Sequence, residues 1–157
     1  MLFRSDKQGK LSSQLVMPRY KVAPIKAVSL PRLELLAAVV NARVLKYVAE
    51  TLPIKMDSVV CWTDSMVALH WIRGRSSCWK PFVANRVAEI QSTWDPEYWK
   101  YCPSKENPAD LLTRGLTCGD MISSTLWWNG APWLLLPYAS QPTQARNEDS
   151  VPESCEE

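Results

Sequence analysis

The run Ser58-Val-Val-Cys-Trp-Thr constrains the fold more than any other segment of this chain. It is uncharged and carries β-branched residues, the pattern of a strand covered on both faces. Such a strand needs helices packed upon it, and the flanking sequence supplies them. Upstream, Ser29-Leu-Pro-Arg-Leu-Glu opens the clearest helix, with Ser29 at or just outside the N-cap and Pro31 in the first turn. Leu33, Leu36, Ala37, Val40, Val44 and Val48 recur at three- and four-residue steps and predict one apolar stripe, ended by Pro53. Downstream, Asp64-Ser65 closes the strand, and either residue can cap a helix running to about Ile72.

The rest of the chain is consistent with that plan. Gln8-Gly9 reads as a turn in a hairpin that includes Lys10–Val16, and Tyr20–Ala23 reads as a further strand-like piece after Pro18. Gly74 with Ser76-Ser77 breaks the chain, and Pro81 to about Thr93 is a second helix with Phe82, Val83, Val87 and Ile90 inward. Tyr98–Tyr101 is a short strand, Pro103–Asn107 a polar loop, and Pro108-Ala-Asp-Leu-Leu a helix start. The expected fold class is α/β, a mixed sheet flanked by helices. At 157 residues, 46% hydrophobic and 22% charged, the composition suits one ordinary domain and excludes collagen-like, wholly disordered and coiled-coil chains. The expected domain covers residues 1–136, with an aromatic extension from about 119. Residues 137–157 form an acidic tail expected to be disordered.

No apolar run reaches the roughly 18 residues of a membrane span, and the stretch after Met1 lacks the marks of a signal peptide. The expected location is intracellular, cytoplasmic or nuclear. Cys61, Cys78, Cys102, Cys118 and Cys155 form no Cys-x-x-Cys pair, so free thiols are expected rather than a disulfide scaffold or a zinc site.

Charge is unevenly spread. The net charge is +2, yet Glu148, Asp149, Glu153, Glu156 and Glu157 face only Arg146 in the tail, which leaves 17 basic and 11 acidic residues elsewhere. Arg73, Arg75, Lys80 and Arg86 cluster with Trp71 and Trp79 interleaved. They are candidate nucleic-acid contacts that could follow phosphates, or a solvated face over core tryptophans. Trp127, Trp128 and Trp133 fit a segment docked on the core better than a platform for bases.

Three acids hold distinctive places: Glu34 inside a first helical turn, Asp64 at the carboxyl end of the buried strand, and Asp110 at a helix start. Ends of strands and starts of helices are where an α/β sheet builds sites. Converging carboxylates there would suit Mg²⁺ or Mn²⁺ and phosphodiester chemistry. Alternatively, the helix dipole accounts for Glu34 and Asp110, and capping for Asp64.

Four blocks in order sharpen the choice: Pro31-Arg-Leu-Glu-Leu-Leu-Ala-Ala, Trp62-Thr-Asp-Ser-Met-Val-Ala-Leu-His-Trp-Ile, Phe82-Val-Ala-Asn-Arg-Val-Ala-Glu-Ile and Glu106-Asn-Pro-Ala-Asp-Leu-Leu-Thr-Arg-Gly. With the Leu-Trp-Trp-Asn-Gly-Ala-Pro-Trp-Leu ending, they resemble the ribonuclease H-like domain of Pao/BEL-type LTR retrotransposon polyproteins, from about Val16 to Trp133. That resemblance implies a mixed sheet opening with three antiparallel strands. It also implies four carboxylates holding two divalent ions (Mg²⁺ or Mn²⁺), and an RNA–DNA hybrid as substrate. A reverse transcriptase portion in the same polyprotein is the implied partner.

Residue by residue, Glu34 matches the acid of the first helix, Asp64 the acid ending the fourth strand, and Asp110 the acid of the last helix. The fourth acid belongs to a first strand that this sequence largely lacks, since Met1-Leu-Phe-Arg-Ser resembles the start of the second. Asp6 is a poor substitute on position. His70 falls inside a helix, and Cys102 stands where the family tends to have histidine, so neither signals a proton shuttle. No Asp-Thr/Ser-Gly motif supports peptidase activity. The expectation is a nucleic-acid-binding domain with little or no cleavage. An endonuclease active within a longer polyprotein and a non-enzymatic interaction module are the alternatives.

Overall fold

The computed structural model describes residues 2–5, 8–53, 59–113, 115–136 and 141, with side chains from Gln8 onward. In chain order its regular elements are β1 (Leu2–Ser5), β2 (Leu11–Gln14), α1 (Leu30–Thr51), β3 (Cys61–Thr63), α2 (Met66–Arg73), α3 (Pro81–Gln91), β4 (Trp99–Tyr101), α4 (Asp110–Thr113), α5 (Cys118–Ser123) and α6 (Thr125–Asn129). The architecture is mixed α/β, as the sequence leads one to expect. Two compact units can be distinguished: one holds Arg19–Tyr101, the other Met1–Pro18 with Cys102–Thr143.

In the first unit β3 and β4 pair in parallel, Cys61 opposite Trp99 and Thr63 opposite Tyr101. Parallel strands require a crossover, and α2 with α3 provides it. α1 begins after Ser29, which sits at the N-cap in extended conformation without a capping side-chain bond, and it stops just before Pro53. Leu35, Leu69, Ile72, Val83, Val87, Ile90 and Trp99 are fully enclosed and form the core. Each such apolar side chain contributes about 1.5–3 kcal/mol on burial. Polar side chains hold the helices in place. Trp94 Nε1 donates to the Ala42 carbonyl at 3.0 Å, and Gln91 Nε2 donates to the carbonyls of Ile72 and Gly74, each at 2.8 Å.

The expected stripe of α1 is displaced. Its buried residues are Leu35, Ala38, Val39 and Ala42, whereas Leu33, Leu36, Val40, Val44 and Val48 are half-buried and Ala37 is exposed. Residues 35–40 are all apolar, so two phases of the 3.6-residue repeat fit one sequence. Packing against α2, α3 and β3 selects between them. The inward set of α3 is as expected for Val83, Val87 and Ile90, with Phe82 partly buried against the core.

In the second unit β1 and β2 form an antiparallel hairpin, Leu2 opposite Gln14 and Ser5 opposite Leu11. Its connection uses Gly9 at φ +80°, a conformation that favours glycine. The segment after α5 docks on β2: Leu15 N–H donates to the Trp128 carbonyl at 2.8 Å, Ser13 Oγ to the Asn129 carbonyl, and Asn129 Nδ2 to the Ser13 carbonyl at 3.0 Å. Trp127 is buried and Trp133 Nε1 donates to Glu106 Oε2 at 2.6 Å, the arrangement of docked aromatics.

A third antiparallel strand is not formed over Tyr20–Ala23. Tyr20 and Val22 are 81% and 79% exposed, and Pro18 and Pro24 bracket the segment, so it gains no covered face to offset its ordering. Cys61, Cys78 and Cys118 are free thiols, and burial pushes the Cys61 thiol up to about 12. No helix among the described residues is long and apolar enough to cross a membrane. Asp6, Cys155 and the expected tail over 137–157, apart from Gln141, lie outside the described residues.

Candidate carboxylate site and basic face

Glu34 and Asp64 are brought together through Ser65. Asp64 follows the last residue of β3 in a bend, and Ser65 is the N-cap of α2. The capping alternative is thereby resolved in favour of Ser65: its buried Oγ accepts the Ala68 N–H at 3.1 Å, while its own N–H donates to Thr63 Oγ1 at 3.2 Å. That arrangement fixes the exit from the strand and leaves Asp64 free of capping duty. The Ser65 hydroxyl also favours the charged form of the Glu34 carboxylate.

Glu34 is the fifth residue of α1 and lies beyond its first turn, which contains no acid. The helix dipole falls off within one turn, so it does not account for this carboxylate as the sequence alone allowed. Burial raises the Glu34 pKa above its ordinary value, the Ser65 hydrogen bond opposes that, and the negative charge of Asp64 raises it further. Two carboxylates from different elements thus sit within electrostatic reach, and a hard cation would relieve both the desolvation and the repulsion. The donor set fits one hydrated Mg²⁺ or Mn²⁺, since such ions bind through one or two carboxylates and keep several waters. No group of three or more His, Cys, Asp or Glu side chains that could hold a metal occurs among the described residues.

Asp110 belongs to the other unit. It opens the four-residue α4, where Oδ1 accepts from Thr113 Oγ1 at 2.8 Å, and Asn107 Oδ1 accepts from Ala109 N–H at 3.1 Å. Cys102 is buried, and His70 is exposed with its ring edge-on to Trp79 at 5.5 Å.

The predicted basic residues lie on the path from α2 to α3. Arg73 ends α2 and donates to the Trp99 carbonyl at 2.8 Å, so part of its role is to anchor β4. Arg75 and Lys80 are exposed, at the N-caps of a short 3₁₀ turn and of α3. Arg86 is half-buried, donates to the Phe82 carbonyl at 2.9 Å and lies over the Phe82 ring. Trp71 is buried and Trp79 packs on the core, so these two aromatics are not a stacking surface.

Sequence reasoning missed two residues, Ser65 as the partner of Glu34 and Arg32 as a second cation over Phe82. Ser65 was visible as a cap next to Asp64; Arg32 gave no signal because its contact with α3 is purely tertiary.

A family model described as the Pao retrotransposon-like RNaseH-like domain matches residues 1–65. Searches of curated proteins and of solved structures give no match. The matched segment contains Glu34, Asp64 and Ser65, while Asp110 and the basic residues follow it. Residues 1–65 of this chain are thus similar to the Pao retrotransposon-like RNase H-like domain.

Proposed function

We propose that this retroelement RNase H-like domain binds RNA–DNA hybrid, with Glu34 and Asp64 holding one Mg²⁺ or Mn²⁺ against a backbone phosphate. The observation that carries the reading is that Asp64 adjoins Ser65, the N-cap of α2, and that its charge is felt at Glu34. Such an ion, when bound, polarises a phosphoryl oxygen and makes a coordinated water more acidic. The residues themselves do the positioning: the cap that Ser65 forms holds the start of α2 beside Asp64, its hydroxyl favours charged Glu34, and Arg75 and Lys80 offer charge to phosphates.

Binding outweighs turnover in this reading. Two carboxylates suit one ion, whereas two-ion hydrolysis needs a larger acidic set to clamp the attacking and leaving oxygens. The test is binding and cleavage of a labelled RNA–DNA hybrid in Mn²⁺, with wild type, Glu34→Gln, Asp64→Asn and Asp110→Asn. Hybrid binding that is strengthened by Mn²⁺, weakened by Glu34→Gln and Asp64→Asn, and accompanied by little cleavage is expected. Rapid cleavage abolished in all three variants would establish the working endonuclease instead. Absence of binding at low salt would leave an interaction module and refute the proposal.

A further inference from the structure

We propose that Arg32 and Arg86, stacked on the ring of Phe82, form a clamp for one phosphodiester group at the start of α3. The inference rests on the nucleic-acid reading above and adds to it a specific contact from α1. Arg32 comes from the first turn of α1, and Phe82 and Arg86 from α3. The guanidinium carbons lie 5.2 Å and 3.7 Å from the same ring centroid, so they are no farther apart than the sum of those distances. One tetrahedral anion meeting both heads is the arrangement proposed.

Both heads are held ready, and neither forms an ion pair among the described residues. The side chains are half-buried, and the two Nε atoms are enclosed without an acceptor, so stem and ring hold each planar group in place. Order established before binding need not be gained on binding. Arg86 spends one Nη1–H on the Phe82 carbonyl at 2.9 Å. The ion pairs among the described residues are Arg43 with Glu89 and Lys46 with Glu50, and neither involves Arg32 or Arg86. Glu89 feels the charge of Arg86, but both its oxygens are engaged by Arg43, at 2.6 Å to Nε and 3.0 Å to Nη2. Two positive charges therefore share one apolar ring, and the acid that feels Arg86 has its oxygens committed to Arg43.

The surroundings favour an anion of a particular kind. α3 begins at Pro81 with Lys80 at its N-cap and no side-chain capping bond, so no acid offsets the positive end of the helix dipole within its first turn. Paired guanidiniums match phosphate oxygens geometrically, with planar forks of donors. Exposed Arg75 and Lys80 extend the positive charge along the chain before α3, which suits a repeating polyanion more than an isolated carboxylate.

The test uses the whole chain and two probes. Arginine side-chain ¹H–¹⁵N spectra are recorded during titration with dimethyl phosphate, and hybrid binding is measured by fluorescence anisotropy across a salt series. The Nε–H signals of Arg32 and Arg86 should move together on one saturable curve, while those of Arg43 stay fixed. Arg32→Gln and Arg86→Gln should each weaken hybrid binding about tenfold and reduce the salt slope by about 0.9, the value for one phosphate contact. The double variant should be little worse than either single one. Arg32→Lys keeps the charge but loses the fork, and should weaken binding with little change in slope. If wild type binds the hybrid but the variants bind equally well, or if the two signals ignore dimethyl phosphate, the clamp is overturned. If dimethyl phosphate moves both signals and the hybrid does not bind, the nucleic-acid reading falls while the clamp stands.

Discussion

Ser65→Ala tests the link between helix capping and the carboxylate pair. The substitution removes the acceptor for the Ala68 N–H at 3.1 Å and the hydroxyl that favours charged Glu34. Loss of the cap costs about 1 kcal/mol. A hydroxyl beside a charged acceptor is worth about 1.5–3 kcal/mol when buried, but Glu34 is only partly shielded, so about 0.5–1 kcal/mol is the discounted share. The sum at pH 7 is about 1.5–2 kcal/mol, or a Tm lower by about 3–8 °C in a chain of this size. Urea unfolding followed by fluorescence of the eight tryptophans measures it. Because Ser65 lowers the Glu34 pKa, the deficit should shrink toward the capping share as acid protonates Glu34. Ser65→Asn and Ser65→Asp cap about equally well, yet the second adds a third negative charge and should be the less stable. Equal stability of Asn and Asp, or a deficit in Ser65→Ala that ignores pH, would refute the reasoning.

Two further outcomes follow from the same unit. Leu35 is fully buried and its neighbour Leu36 half-buried, so Leu35→Ala should cost about 2–5 kcal/mol and Leu36→Ala under about 1.5 in denaturant unfolding; the reverse order would restore the originally expected face of α1. Glu34 has a folded pKa raised above its reference of 4.5. The stability this contributes is fully present below the unfolded value and is lost as pH rises through the folded one. Glu34→Gln should therefore match wild type near pH 4 in thermal unfolding and exceed it at pH 7, and a variant less stable than wild type at pH 7 would contradict that.

Where the sequence was legible, the governing interactions are local. Pro53 stops α1 because its ring and missing N–H cannot continue a helix, and Gly9 marks the hairpin connection because that turn needs positive φ. Ser65 caps α2 because a short hydroxyl reaches the N–H three residues on. The uncharged run before Asp64 yielded the strand β3, and the aromatic run Tyr98–Tyr101 its parallel partner. The expected strand at Tyr20–Ala23 failed because alternation of side chains has no effect without a neighbour to cover one face.

The sequence by itself determined the order of the main helices and of β3 and β4, the stop of α1, and two acids worth watching in Glu34 and Asp64. Propensity, proline and capping act within a few residues, so they can be read along the chain. Only the tertiary structure decided which side of α1 is buried, since an apolar run such as 35–40 satisfies more than one phase until α3 packs on it. It likewise decided that Ser65 joins Glu34 to the end of β3, and that Arg32 meets Arg86 over Phe82. These contacts join residues far apart in sequence, and packing between helices, which no local rule encodes, sets their distance.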